Sequence, residues 1–202
     1  MSFSDVVSRI SQLESLSPST IGSQTLQAEL QGSLPGIAGT SFARVLAAAT
    51  VAQPAAATGS PGDIVAAARG EIGQTEQPPG SNDSPRIAVY RSAVAGAQAG
   101  DPWCAYFVSW AAAQAGMPLG DNGAGIGSVA GITDWASRNG RLLPASATPQ
   151  PGDLILFGTE HVGIVESVSP DGSLTTIEGN HANAVQEVDR KPGEATGFVR
   201  MG

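Results

Sequence analysis

The chain has 202 residues, enough for one domain with a full hydrophobic core and a short appendage. Ten basic against eighteen acidic side chains leave a net charge of −8, which argues against the basic footprint of a nucleic-acid or anionic-membrane partner. A single cysteine rules out an internal disulfide, so either the packing or the reactivity of Cys104 must account for it. No stretch approaches the roughly 18 apolar residues of a membrane span, and the N-terminal segment lacks the basic start and apolar run of a secretory signal. Lys191 is the one lysine in a chain rich in Ala, Gly and Pro, a bias expected of a GC-rich bacterial source.

In chain order, Val6, Ile10, Leu13 and Leu16 form an apolar stripe on a short helix, and "SFARVLAAA" from Ser41 reads as a second, serine-capped one. "VAQPAAATGSPG" has linker composition. The expected organisation is a helical or flexible extension over 1–50, a linker over 51–61 and a folded domain over 62–202. Within that domain "GDIVAAARGEIG" and "SPRIAVYRSAVAG" have helical patterns. From Pro151 the pattern changes to short β-rich runs, "DLILF", "HVGIVESV", "SLTTIEGN", "VQEVDR" and "GFVR", separated by "PG", "SPDG" and "KPGEATG". Helices followed by strands predict an α+β domain with an antiparallel sheet.

The thiol lies at a helix start in "GDPWCAYFVSW". Asp101 is read as the N-cap, Pro102 as the first helical residue and Cys104 as the third, with Gly116 and Pro118 ending the helix. In a first turn the free N–H groups and the positive end of the helix dipole favour an anion, so a thiol there is easier to ionise and an oxyanion easier to hold. The plainer reading of a lone cysteine is a small buried hydrophobe. A nucleophilic thiol also needs a base, and the chain offers only His161 and His181.

His161 opens "HVGIVESV", where a side chain can leave the sheet edge for a cleft, whereas His181 in "EGNHANA" reads as an exposed loop residue. A hairpin through "SPDG" opposes His161 to residues 180–182. Alternation then brings Glu178 and Asn180 beside the imidazole, where either could fix its tautomer.

"WCAYFVSW", "HVGIVESV" and "TIEGN", in this order, resemble the cysteine, histidine-dependent amidohydrolase/peptidase (CHAP) domain. The resemblance covers about two thirds of the chain, from Gly62 to Gly202, with "GFVR" similar to the closing strand. It implies a papain-like α+β fold and hydrolysis of an amide bond in bacterial peptidoglycan, by an N-acetylmuramoyl-L-alanine amidase or a crosslink endopeptidase. Carried onto this sequence, it makes Cys104 the nucleophile, His161 the base and then acid, and Glu178 the orienting carboxylate. Asn180 becomes a further polar site residue. Gln98 and Asp101 are candidates for holding the oxyanion, and Trp103 for either walling the substrate groove or packing in the core. Some relatives bind calcium ahead of the cysteine, but Asp83 and Asp101 stand isolated here, so no metal or other cofactor is expected.

The first 50 residues weakly resemble segments of flagellar rod and basal-body proteins. That resemblance implies a flagellar partner and export by the flagellar route; release through a holin is the alternative for a wall enzyme without a secretory signal. Two other functions remain open: an inactive module that binds wall or flagellum, and a γ-D-glutamyl peptidase of a related branch.

Overall fold

The computed structural model describes residues 59–202, so the helices expected within 1–50 and residues 51–58 of the expected linker lie outside the described residues. Among the described residues, four α-helices precede a six-stranded, wholly antiparallel sheet, which makes this an α+β fold. The helices are α1 (Pro61–Arg69), α2 (Pro85–Arg91), α3 (Cys104–Gln114) and α4 (Val129–Arg138). The strands are β1 (Leu142–Pro144), β2 (Leu154–Phe157), β3 (His161–Val168), β4 (Leu174–His181), β5 (Ala184–Arg190) and β6 (Gly197–Val199), ordered β1-β6-β2-β3-β4-β5. Among the described residues, no helix is long and apolar enough to cross a membrane.

Local chemistry sets most helix starts. Ser60 and Asp63 form a reciprocal capping box around Pro61, and the hydroxyls of Ser84 and Ser128 accept the N–H groups of Ile87 and Gly131. Helix α3 is different: Trp103 is its N-cap and offers no side-chain bond. The helix is buried continuously from Cys104 to Ala112, because α1 and α2 pack on one side and β3 and β4 on the other.

Alternation in the strands separates two apolar layers. Leu154, Ile164, Ile177 and Val199 join the helices in the main core, while Ile155, Val165, Leu174 and Phe198 form a smaller cluster on the opposite face. The β3–β4 hairpin has the register expected from its turn: Ile164 opposes Ile177 and Val165 opposes Thr176, before a bulge shifts the pairing to Ser167 with Thr175.

Helix α3 lies directly against β4 at Gly179, where a Cβ would sit 2.6 Å from Phe107 Cβ. No larger residue fits between them without displacing the helix that begins with the cysteine. This contact and the β3–β4 register fix where the two halves of the candidate site meet.

Candidate active site

Cys104 is 5% exposed at the first turn of α3 and His161 is the first residue of β3. Cys104 lines a cleft of about 300 Å³ with Tyr106, Ser128, Thr159 and Glu160, and its thiol lies near enough to His161 to raise the imidazole's proton affinity. His161 Nε2 lies 2.8 Å from Glu178 Oε2, which leaves Nδ1 as the ring nitrogen available to exchange a proton with Cys104. Glu178 reaches the imidazole over Gly163, the residue two beyond His161 on the same face. A Cβ at Gly163 would stand 2.7 Å from Glu178 Cγ, so that glycine supplies the passage for the carboxylate.

Glu178 is fully buried, and both of its oxygens are occupied. Thr176 Oγ1 donates to Oε1 at 2.6 Å, while Arg190 donates through Nε to Oε1 at 2.8 Å and through Nη2 to Oε2 at 2.6 Å. Burial favours the neutral acid, but hydrogen bonds from His161, Arg190 and Thr176 outweigh it and hold the carboxyl down to about 2. At His161 burial favours the neutral ring, but the hydrogen bonds and charges of Cys104 and Glu178 prevail and raise it to about 9. The thiol and the buried carboxylate together thus favour the imidazolium form of His161.

Asn180 has a different task from Glu178. A bulge between Glu178 and His181 and a φ of 60° turn it off the strand's alternation. With its amide assigned from its neighbours, Oδ1 accepts the Trp103 backbone N–H at 3.0 Å and Nδ2 donates to Glu76 Oε1 at 3.2 Å. Glu76 also accepts the Trp103 indole N–H at 3.0 Å. Asn180 therefore braces the residue before the thiol, while Glu178 braces the imidazole.

Residues 96–180 match the family model of the CHAP domain. The chain carries a CHAP domain. The family comprises cysteine- and histidine-dependent amidohydrolases and peptidases, and the matched segment of this CHAP domain contains Cys104, His161, Glu178 and Asn180. No curated protein and no solved structure matches the chain.

Several expectations for this CHAP domain are corrected. The helix begins at Cys104, so the thiol is the first helical residue and Asp101 is not its cap. The Asp101 carboxylate instead accepts the Tyr106 hydroxyl at 2.9 Å and the Gln98 N–H at 3.3 Å. It lines the cleft as an acceptor, which repels an oxyanion rather than holding one. Gln98 is exposed, its side-chain amide donates to Gly96 O within its own loop, and it is not among the residues lining the cleft. Of the donors considered, the Cys104 N–H remains, since the first N–H groups of a helix have no intrahelical partner. Trp103 is fully buried, stacked on Tyr90 with ring centroids 5.8 Å apart, so it belongs to the core and not to the groove wall.

His181 is not a loop residue. It ends β4 with its Nδ1 3.5 Å from Glu178 Oε2, while ligand atoms of His161, Glu178 and His181 all fall within 4.8 Å of one another. The Arg190 guanidinium on the same carboxylate makes this an ion-pair network and works against a dication.

Linkage gives the stability consequence of the two shifted groups. His161, raised from its usual 6.5 to about 9, contributes stability that is complete below 6.5 and lost as pH rises through 9. Glu178, lowered from 4.5 to about 2, contributes stability that is complete above 4.5 and lost as pH falls through 2. Melting temperatures recorded from pH 6 to 10 should decline more steeply for the wild type than for His161→Gln. Equal slopes would exclude the raised imidazole.

Proposed function

We propose that the CHAP domain is a thiol hydrolase that cleaves an amide bond in bacterial peptidoglycan and acts in the cell wall. The observation that carries this reading is Cys104 at a solvent-accessible cleft beside His161, whose Nε2 is held by the buried Glu178 carboxylate. Cys104 Sγ attacks the substrate carbonyl carbon while the thiol proton rests on His161 Nδ1. The carbonyl oxygen gains negative charge, and the Cys104 N–H at the helix start stabilises it. As the C–N bond breaks, His161 returns the proton to the leaving amine, leaving an acyl thioester. His161 then takes a proton from water as the water oxygen attacks the thioester carbon; the C–S bond breaks, the carboxylic acid leaves, and His161 returns the proton to the Cys104 sulfur.

Glu178 sustains this cycle from behind the imidazole, fixing its tautomer and stabilising the imidazolium. Neither a cofactor nor a metal enters any of these steps. A flagellar partner for residues 1–50 rests on their helical pattern alone.

The test is mass spectrometry of fragments released from purified cell walls by the wild-type protein, against Cys104→Ala as control. A new N-terminal alanine on the stem peptide identifies an amidase, a severed crosslink an endopeptidase, and a cut after D-glutamate a γ-D-glutamyl peptidase. Saturable wall binding with no cleaved bond would overturn the hydrolase reading in favour of a binding module.

A further inference from the structure

We propose that Arg190 is a positioning residue of this site, bracing the orienting carboxylate and the imidazole at the same time. The inference rests on the Cys104–His161–Glu178 reading and adds a fourth member that is not among the residues lining the cleft.

Arg190 is the last residue of β5 and lies opposite Leu174 in the β4–β5 ladder. It meets Glu178 as a fork, with Nε at 2.8 Å from one oxygen and Nη2 at 2.6 Å from the other. A planar guanidinium engaging both oxygens fixes the carboxylate plane, which a single ammonium cannot do. The carboxylate plane in turn sets the direction of the bond to His161 Nε2.

The second brace passes through Phe157. Arg190 Cζ lies 4.4 Å from the Phe157 ring centroid, and Phe157 stacks on His161 with centroids 5.8 Å apart and planes 30° apart. Phe157 and His161 are directly opposed in the β2–β3 ladder, so this stack is built into the sheet register. The guanidinium therefore holds the imidazole at its edge through Glu178 and on its face through Phe157.

The charged or titratable groups around Glu178 are His161 on β3, His181 on its own strand and Arg190 on β5, with Cys104 beyond His161 on α3. Arg190 also approaches Glu194 at 3.5 Å. Without the guanidinium, a fully buried carboxylate faces two imidazoles and no permanent cation. Burial then raises its protonation range toward the working pH. Once protonated, Glu178 no longer supports the imidazolium, and the proton shared by thiol and ring returns to sulfur.

Two variants separate charge from geometry. In Arg190→Lys the charge persists without the fork: turnover on cell walls should fall about tenfold with KM unchanged, and the acid limb of Cys104 alkylation by iodoacetamide should stay in place. In Arg190→Gln turnover should fall about a hundredfold, and that acid limb should move upward by about one pH unit. Wild-type turnover in Arg190→Lys, or a stationary acid limb in soluble, cooperatively melting Arg190→Gln, would overturn the assignment. If Arg190→Gln does not fold, Arg190→Lys alone decides. Alkylation requires no wall substrate, so the expected shift in a protein that cleaves no wall would sink the proposed function and leave the positioning role standing.

Discussion

Cys104→Ala should abolish wall hydrolysis, lowering it by about three orders of magnitude or more, while leaving the fold intact. The two effects separate because the sulfur contributes little to the core. Cys104 is buried at the edge of the main apolar cluster, and replacing it with Ala deletes one atom, at a cost of about 1 kcal/mol. No other cysteine can substitute for it, since the chain has one. Turbidity loss of purified walls measures the first effect, and thermal melting the second. Lysis by the variant at the wild-type rate would eliminate the thiol mechanism, and collapse of the fold would return Cys104 to a packing role.

Glu178→Ala should lose both activity and stability. Three groups depend on this carboxylate: His161 Nε2 and the Arg190 fork lose their acceptor, while Thr176 Oγ1 keeps a second one in the Val188 carbonyl at 3.1 Å. Breaking a buried ion pair by deleting one partner costs about 3–5 kcal/mol. The Arg190 side chain is 18% exposed and can take up some water, so a loss of about 3 kcal/mol, at the low end, is expected. Turnover should fall by about two to four orders of magnitude, because the imidazole loses the partner that orients it. Chemical denaturation and wall-hydrolysis rates test the two arms. Glu178→Gln sharpens the test: it keeps an acceptor for Arg190 and so should retain more stability than Glu178→Ala while remaining deficient in hydrolysis. Full activity in Glu178→Gln would remove the carboxylate from the mechanism.

The five strands from β2 onward could be read from the sequence because each is a short β-rich run bounded by turn signals, and the "SPDG" corner set a register that the Ile164–Ile177 pair reproduces. Strand β1 was not legible because it is three residues ending in Pro144, a residue that argues against a strand. Helix α4 was missed because it follows "DNGAGIGS", whose glycines read as loop, even though Ser128 caps it.

The thiol and its base were legible for a simpler reason: the chain holds one cysteine and two histidines, and only one of the histidines opens a strand. The exact start of α3 was not legible. Asp101 and Pro102 suit a helix start in isolation, but Trp103 must enter the core with φ −113° and ψ 12°, which delays the helix to Cys104. Arg190 was hidden for a related reason. Its meeting with Glu178 requires the β4–β5 register, and that hairpin turns through Asn180, Ala182 and Asn183, all at positive φ, in a run with no standard two-residue signal.

Three consecutive residues of β4 touch three different parts of the site: Glu178 the imidazole, Gly179 the flank of Phe107, and Asn180 the backbone ahead of the thiol. The reacting atoms are thus aligned by one rigid tripeptide, whereas the far wall of the cleft, around Gly127 and Ser128, comes from the irregular crossing between α3 and α4. Such a division lets the recognising wall be lengthened or recut while the chemistry stays in alignment, so one scaffold can acquire new substrate preferences by changing its outer loops.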